Sequence, residues 1–365
     1  YGSKIAALTS VMTLALAGVV AVAPGAQAAC GSGAYGGGSG TSGDPYVIAS
    51  ASHLDTLQST SGDWSCDFVQ MEPIDLTGTT WSSGIGSGSG ASAFSGTYDG
   101  GNHEISGLVV DVAGDNAGLF GYVTGTVQRV SFSGAVEGEG NNVGGIVGVL
   151  DAATLTDSSF GGSVSADIDR VGGLVGWLSG SGPEPSISDS YSTGSVSGRW
   201  RVGGAVGQAL SGSIERVYST GSVTGLVGVG TYIGGLIGDN AEDPGLLATG
   251  ATVTDSYARG AVTGHNLVGG LMGGGRNTIT DSYATGAVAT TNNPGGLTAQ
   301  GGEAQESFWD SQTTGLSTSW TGTAKTTEQM TSLATFTDAT WSIAQGYDAS
   351  KTWGIDPDIN DGYPF

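Results

Sequence analysis

A hydrophobic residue followed by two glycines recurs at Val143, Val171, Val202, Ile233 and Val268, with a degenerate "PGG" at Pro294. The steps are 28, 31, 31, 35 and 26 residues. Self-similarity at this period is the signature of a stacked repeat, in which each unit buries its apolar face only against its neighbours. A second column runs in parallel: the aromatics Phe132, Phe160, Tyr191, Tyr218, Tyr257, Tyr283 and Phe308. Most are followed within three residues by "GAV" or "GSV". One unit holds three short apolar stretches, such as "GGLMG", "TIT" and "GAV" between Gly269 and Val288, separated by turn-forming Gly, Asn, Asp or Ser. Three strands per turn is the arithmetic of a parallel β-helix, whose coils lie ~4.8 Å apart.

Composition fits this reading. Of 365 residues 69 are Gly, against a usual share of roughly 7%, and no G-X-Y period is present, so collagen is excluded. Glycine is expected where a coil turns a corner with positive φ and where neighbouring coils approach closely. Only 10 Lys and Arg face 33 Asp and Glu, a net charge of −23. Nucleic acid is therefore not expected as a partner, nor an anionic membrane surface, because both need clustered positive charge.

The first 28 residues read as a secretory leader: Lys4, an apolar stretch, and small residues at Ala26 and Ala28. Membrane association is expected only through this segment, and the chain is expected to be secreted or at the bacterial cell surface. After cleavage Cys30 and Cys66 remain, and an even pair in an exported chain implies one disulfide. A lipid-modified Cys30 is disfavoured by Gln27 three positions upstream. The expected organisation is a leader over 1–28, an N-terminal cap and first coils over 29–125, the repeats over 126–310, and a C-terminal capping region over 311–365. Ser50 before "ASHLDTLQ" predicts one short helix burying Leu54 and Leu57. The capping box Thr326/Gln329 predicts another, with Met330, Leu333 and Ala334 on one stripe. Both read as edge covers for open coil ends.

The pieces "GGLVG", "GGLMG", "DSYSTGSV" and "DSYATGAV", with flanks such as "FSGTYDGGNHEISGL" and "WGIDPDINDGYPF", resemble the GLUG-motif repeats of bacterial surface adhesins and filamentous-haemagglutinin-like proteins. Similar repeats occur in extended regions of some immunoglobulin-A-cleaving peptidases. The resemblance implies an all-β, right-handed parallel β-helix at the bacterial surface. It implies no activity, because function sits in sites carried by such a scaffold.

Stacking turns a repeat position into a row of side chains. Two places before the aromatics stand Val130, Ser158, Asp189, Arg216, Asp255, Asp281 and Glu306. Arg216 is expected to neutralise Asp189 and Asp255. The run Asp255, Asp281 and Glu306 is a weak candidate for Ca²⁺ or for paired acids in glycan cleavage, against the plainer expectation of corner residues in left-handed geometry. No other cofactor is expected. "NHEIS" around His103 lacks the second His of a zinc-protease motif, and "DPDINDG" reads as a closing turn anchored by Trp353 and Tyr363. Trp177, Trp200 and Trp320 lie in or beside loops and are candidates for stacking on a sugar ring. The expected function is an extracellular adhesion or structural scaffold for a glycan or a matrix or host protein, with no catalysis of its own. A polysaccharide lyase or glycoside hydrolase is the second reading, and an accessory module of a surface peptidase the third. The insertion over 239–251 is expected to bulge as a loop.

Overall fold

The computed structural model describes residues 30–31, 33–180, 182–240 and 249–365. The expected leader, and most of the 239–251 loop, lie outside the described residues. The fold is an all-β parallel solenoid of about eight turns. Three inward columns hold it together. Val143, Val171, Val202, Ile233, Val268 and Pro294 stand in parallel register on successive turns. Leu155, Ile187, Ile214, Val253 and Ile279 form the second column, and Val136, Val164, Val196, Val223, Val262 and Val288 the third. All but Pro294 and Val288 are fully or almost fully buried. Branched side chains suit such columns because each packs on its like one turn above and below.

The V-G-G glycines are required by the close approach of neighbouring coils and not by a corner. A side chain on Gly172 would overlap the carbonyls of Val175 and Ala205, while its φ is not positive. Close approach of backbone to backbone excludes every larger residue there. In the repeats most of the left-handed positions fall in two rows of longer residues. Arg129, Asp157, Asp189, Arg216, Asp255, Asp281 and Glu306 have φ between 46° and 53° and form one row. Asn142, Arg170, Arg201, Tyr232, Leu267 and Asn293, each just before a V-G-G, form another. Asn and Asp tolerate this region at small cost, and the turn above and below fixes the rest.

This row corrects the sequence alignment. Its first members are Arg129 and Asp157, not Val130 and Ser158. The register shows why: Ser159 pairs with Tyr191, and Phe160 with Ser192. In "DSSF" the aromatic is the third residue after the left-handed Asp157, and in "DSYS" it is the second after Asp189.

Five of the seven residues in the first row are followed by a serine, and its role is plain. Ser158, Ser190, Ser256, Ser282 and Ser307 are buried. The hydroxyl oxygens of Ser158, Ser190, Ser256, Ser282 and Ser307 accept the backbone N–H of Val130, Ser158, Val217, Ser256 and Ser282 on the preceding turn at 3.0–3.2 Å. Each hydroxyl also donates to the carbonyl two residues earlier. These bonds satisfy buried amides at the point where the strand ladder is interrupted.

At the N-terminal end Cys30 and Cys66 are joined by a disulfide with Cα atoms 5.7 Å apart. The helix Ala51–Ser59 is capped by the Ser50 hydroxyl and buries Leu54 and Leu57 in the main core. The C-terminal region departs from the simple lid. The Thr326/Gln329 capping box is present, but the helix breaks into Thr327–Met330 and Leu333–Asp338. The break turns the buried stripe to Met330 and Phe336 and leaves Ala334 exposed. These residues join Trp341, Trp353, Ile355 and Tyr363 in a second cluster with Tyr257, Tyr283 and Phe308. The segment thus packs along the outer flank of the last turns.

Candidate functional site

One residue of register decides where the aromatics go. Phe132 and Phe160 point inward and are buried, with ring centroids 5.6 Å apart. From Tyr191 onward the aromatic faces outward, and Ser192, Ser219, Ala258 and Ala284 take the inner column. Tyr191, Tyr218, Tyr257 and Tyr283 form an outward ladder with centroids 4.8, 4.8 and 5.0 Å apart and planes within 4° of parallel. The separation matches the coil spacing, so the backbone sets the stack.

The C-terminal segment covers one end of this ladder. Trp353 packs on Tyr257 and Tyr283, and Tyr363 stacks beside Tyr283. The Tyr283 hydroxyl donates to the Pro364 carbonyl at 2.6 Å. Arg259 bonds Asn360 and Asp361, fastening the closing turn. Cover fades toward the other end: Tyr218 is half-buried, its phenol pushed up to about 12 by burial and by Tyr191. Tyr191 is 37% exposed. Beside it opens a cleft of 320 Å³ lined by Asn102, Arg129, Ser131, Asp157, Ser159, Asp189 and Tyr191. A second cleft, of 300 Å³, lies between Arg216, Tyr218, Asp255, Trp353 and Phe365.

The charged row forms one wall of both clefts. Arg216 grips Asp189 with two hydrogen bonds of 2.5 and 2.8 Å and also pairs with Glu215. That contact holds the Asp189 carboxyl below its ordinary value. Arg129 pairs with Asp99; burial raises Asp99, but its hydrogen bonds from Arg129, Gly101 and Gln128 lower it overall. Asp255, Asp281 and Glu306 stack in register on later turns. Burial pushes Asp255 up although Trp353 Nε1 donates to it at 2.8 Å. Burial, then the charges of Asp255 and Glu306, push Asp281 up to about 6. Trp341 Nε1 donates to the Glu306 carbonyl at 2.7 Å. Among the described residues no group of three or more His, Cys, Asp and Glu side chains is placed to hold a metal ion.

Trp177 lies inside the strand Val175–Ser179 and Trp200 opens the strand Trp200–Gly203, whereas Trp320 lies in a bend outside any strand. Trp177 stands in register between Val149 and Gln208 and lies under the Arg170 guanidinium, 4.8 Å from the ring centre. It is half-buried, and Arg170 takes one face of the indole. Trp200 is 41% exposed beside Asp169 and Thr231, with Arg199 4.5 Å from its ring. Trp320 is 66% exposed at the rim of a separate 450 Å³ cleft with Asn293, Pro294 and Thr318. Of the 239–251 loop the ends are fixed: Asn240 Nδ2 donates to the Ala251 carbonyl at 2.8 Å, and Ala251 N–H returns a bond of 2.7 Å. Sequence reasoning missed Tyr191, Asp157 and Arg129 as neighbours in one cleft. The signal was the one-residue difference between "DSSF" and "DSYS".

Fold and columns together define a parallel β-solenoid of stacked repeats. The GLUG motif is matched twice, at residues 170–197 and 198–224. A candidate Gly-rich membrane protein of Evansella cellulosilytica is 33% identical over 123 residues, 31% of this chain and 14% of that protein. Halomucin of Haloquadratum walsbyi is 33% identical over 121 residues, 30% of this chain and 1% of that protein. The chain thus spans a small part of these relatives. The crystal structure of a candidate immunoglobulin A1 protease from Bacteroides ovatus superposes with a TM-score of 0.58 at 21% identity, covering 91% of this chain and 94% of that one. That likeness shows the fold. Among the described residues no helix is long and apolar enough to cross a membrane.

Proposed function

We propose that this chain is a secreted or cell-surface scaffold that binds an extracellular glycan or a matrix protein and carries out no catalysis of its own. One observation carries the reading: a rigid outward tyrosine ladder is roofed by the chain's own C-terminal segment over Tyr257 and Tyr283 and left open at Tyr191. An aromatic platform held by a stiff scaffold and partly uncovered is a surface built for contact. The name of the Evansella relative supports placement at a membrane or surface. Likeness in fold to the Bacteroides ovatus protein supports a narrower variant, in which the solenoid accompanies a peptidase unit.

Asp281 favours a second reading. A carboxyl raised to about 6 between two other acids has the titration of a general acid in glycoside hydrolysis. Passing the purified chain over immobilised polysaccharides and matrix proteins, while measuring the length of soluble polysaccharides, tests both. Retention with unchanged chain length is the expected result. Shortened polysaccharide would overturn the scaffold reading and make Asp281 the first residue to mutate.

A further inference from the structure

We propose that the open end of the tyrosine ladder is a saccharide site, in which a neutral hexose ring of a glycan stacks on the free face of Tyr191. The inference rests on the glycan-binding reading above and names its site. One face of the Tyr191 ring is spent on Tyr218, 4.8 Å away and parallel to within 1°. The other faces the preceding turn, where the register places Ser159 and then Ser131 instead of an aromatic. That face borders the 320 Å³ cleft. A ring resting on it at van der Waals distance, ~3.5–4.0 Å, lies over Ser159, where a further tyrosine of the ladder would stand.

The wall beside it supplies what a sugar needs. Asp157 and Asp189 offer acceptor oxygens, while Arg129 and Asn102 offer donors. Vicinal hydroxyls both donate and accept, so a mixed wall suits them. Left-handed backbones at Asn102, Arg129, Asp157 and Asp189 hold these side chains in one row. Charge selects the ligand class. Arg129 is neutralised by Asp99 and Arg216 is committed to Asp189 and Glu215. The chain as a whole carries −23. A uronate or sialylated glycan would meet like charge, whereas a neutral hexose loses nothing. The chain's own closure shows the chemistry of this surface: at the other end of the ladder Trp353 and Tyr363 cover the same tyrosine column.

The test titrates the full chain calorimetrically with cellohexaose, mannohexaose and, as the anionic control, trigalacturonate. The decisive variant is Ser159→Tyr, which extends the ladder by one ring and fills the cleft from within. Because the same column accepts Tyr on four later turns, this variant should fold, with a melting temperature at or above wild type. Expected is binding of a neutral hexaose by wild type and by Tyr191→Phe, weakened roughly tenfold or more, about 1.4 kcal/mol, in Ser159→Tyr and Tyr191→Ala. Equal binding by wild type and Ser159→Tyr would overturn the site while leaving the glycan-binding reading intact. Binding of trigalacturonate alone would overturn the neutral ligand. If wild type takes neither hexaose but is retained on a matrix protein, this inference fails and the scaffold reading stands; retention on nothing removes both.

Discussion

The earlier and later turns of the solenoid write nearly the same sentence and bury different parts of it. In the turns of Phe132 and Phe160 the aromatic fills the core. In the turns of Tyr191 through Tyr283 the core column shrinks to Ser or Ala and the aromatic forms an external ladder. A solenoid fixes backbone spacing, so side-chain volume moved out of the core has to find another surface. On the last turns that surface is the C-terminal segment, which packs Trp341, Trp353 and Tyr363 along the flank. At Tyr191 it ends, and the ladder meets solvent. A repeat can thus build either core or contact surface by shifting one residue past its corner.

The comparison breaks most sharply at its two aromatics. Phe160→Ala opens a cavity in the core and should cost ~3–5 kcal/mol. Tyr191→Ala loses one stacked contact and should cost only ~0.5–1.5 kcal/mol. Equilibrium denaturation of the two variants checks this; equal losses would mean that the outer ladder bears on stability as the core does. Next in size is the serine ladder common to both regions. Ser256→Ala leaves the Val217 N–H buried without its acceptor, and a loss of ~1–3 kcal/mol is expected. The inner column of the later turns should behave oppositely. Among the described residues the buried hydroxyls of Ser192 and Ser219 have no hydrogen-bond partner, and the next turns place Ala258 and Ala284 there. Ser192→Ala should therefore raise stability, by up to ~1 kcal/mol. A destabilised Ser192→Ala would show that the hydroxyl has a partner after all.

The stacked columns were legible because V-G-G and "GSV" recur with the same residues in the same inward places. The charged row was legible over its last five members, since from Asp189 onward the offset to the aromatic is constant. It failed at Val130 and Ser158 because an inward Phe and an outward Tyr look alike in a string, and only the pairing of Ser159 with Tyr191 separates them. Close approach of neighbouring coils was the right reason for the V-G-G glycines, as at Gly172, whereas the corner argument fails in the repeats, where mostly Asp, Asn and Arg take the left-handed positions. What stayed hidden depends on contacts between distant segments. Nothing local to Trp353 says that its indole reaches Asp255, 98 residues away.

The smallest effect is the most specific, because the charged row divides as the aromatics do. Asp189 is lowered by Arg216, so its ionised form is stabilising; that contribution is present above its ordinary 3.8 and is lost as pH falls through its lower folded value. Asp281 is raised from 3.8 to about 6 by burial and by its two acidic neighbours. Its folded form holds the proton more tightly than the unfolded chain, so its contribution turns unfavourable as pH rises from about 4 to about 6 and is constant above. Asn tolerates the left-handed corner at both sites. Asp189→Asn should therefore destabilise at pH 7, and Asp281→Asn should stabilise at pH 7 while matching wild type near pH 4. Both shifts should be a few tenths to ~1 kcal/mol, since these side chains are partly screened by water. Melting temperatures measured from pH 4 to pH 7 decide it. A flat difference for Asp281→Asn would mean that neither burial nor the two neighbouring acids raise Asp281, and an equal sign for both variants would mean that Arg216 does not divide the row.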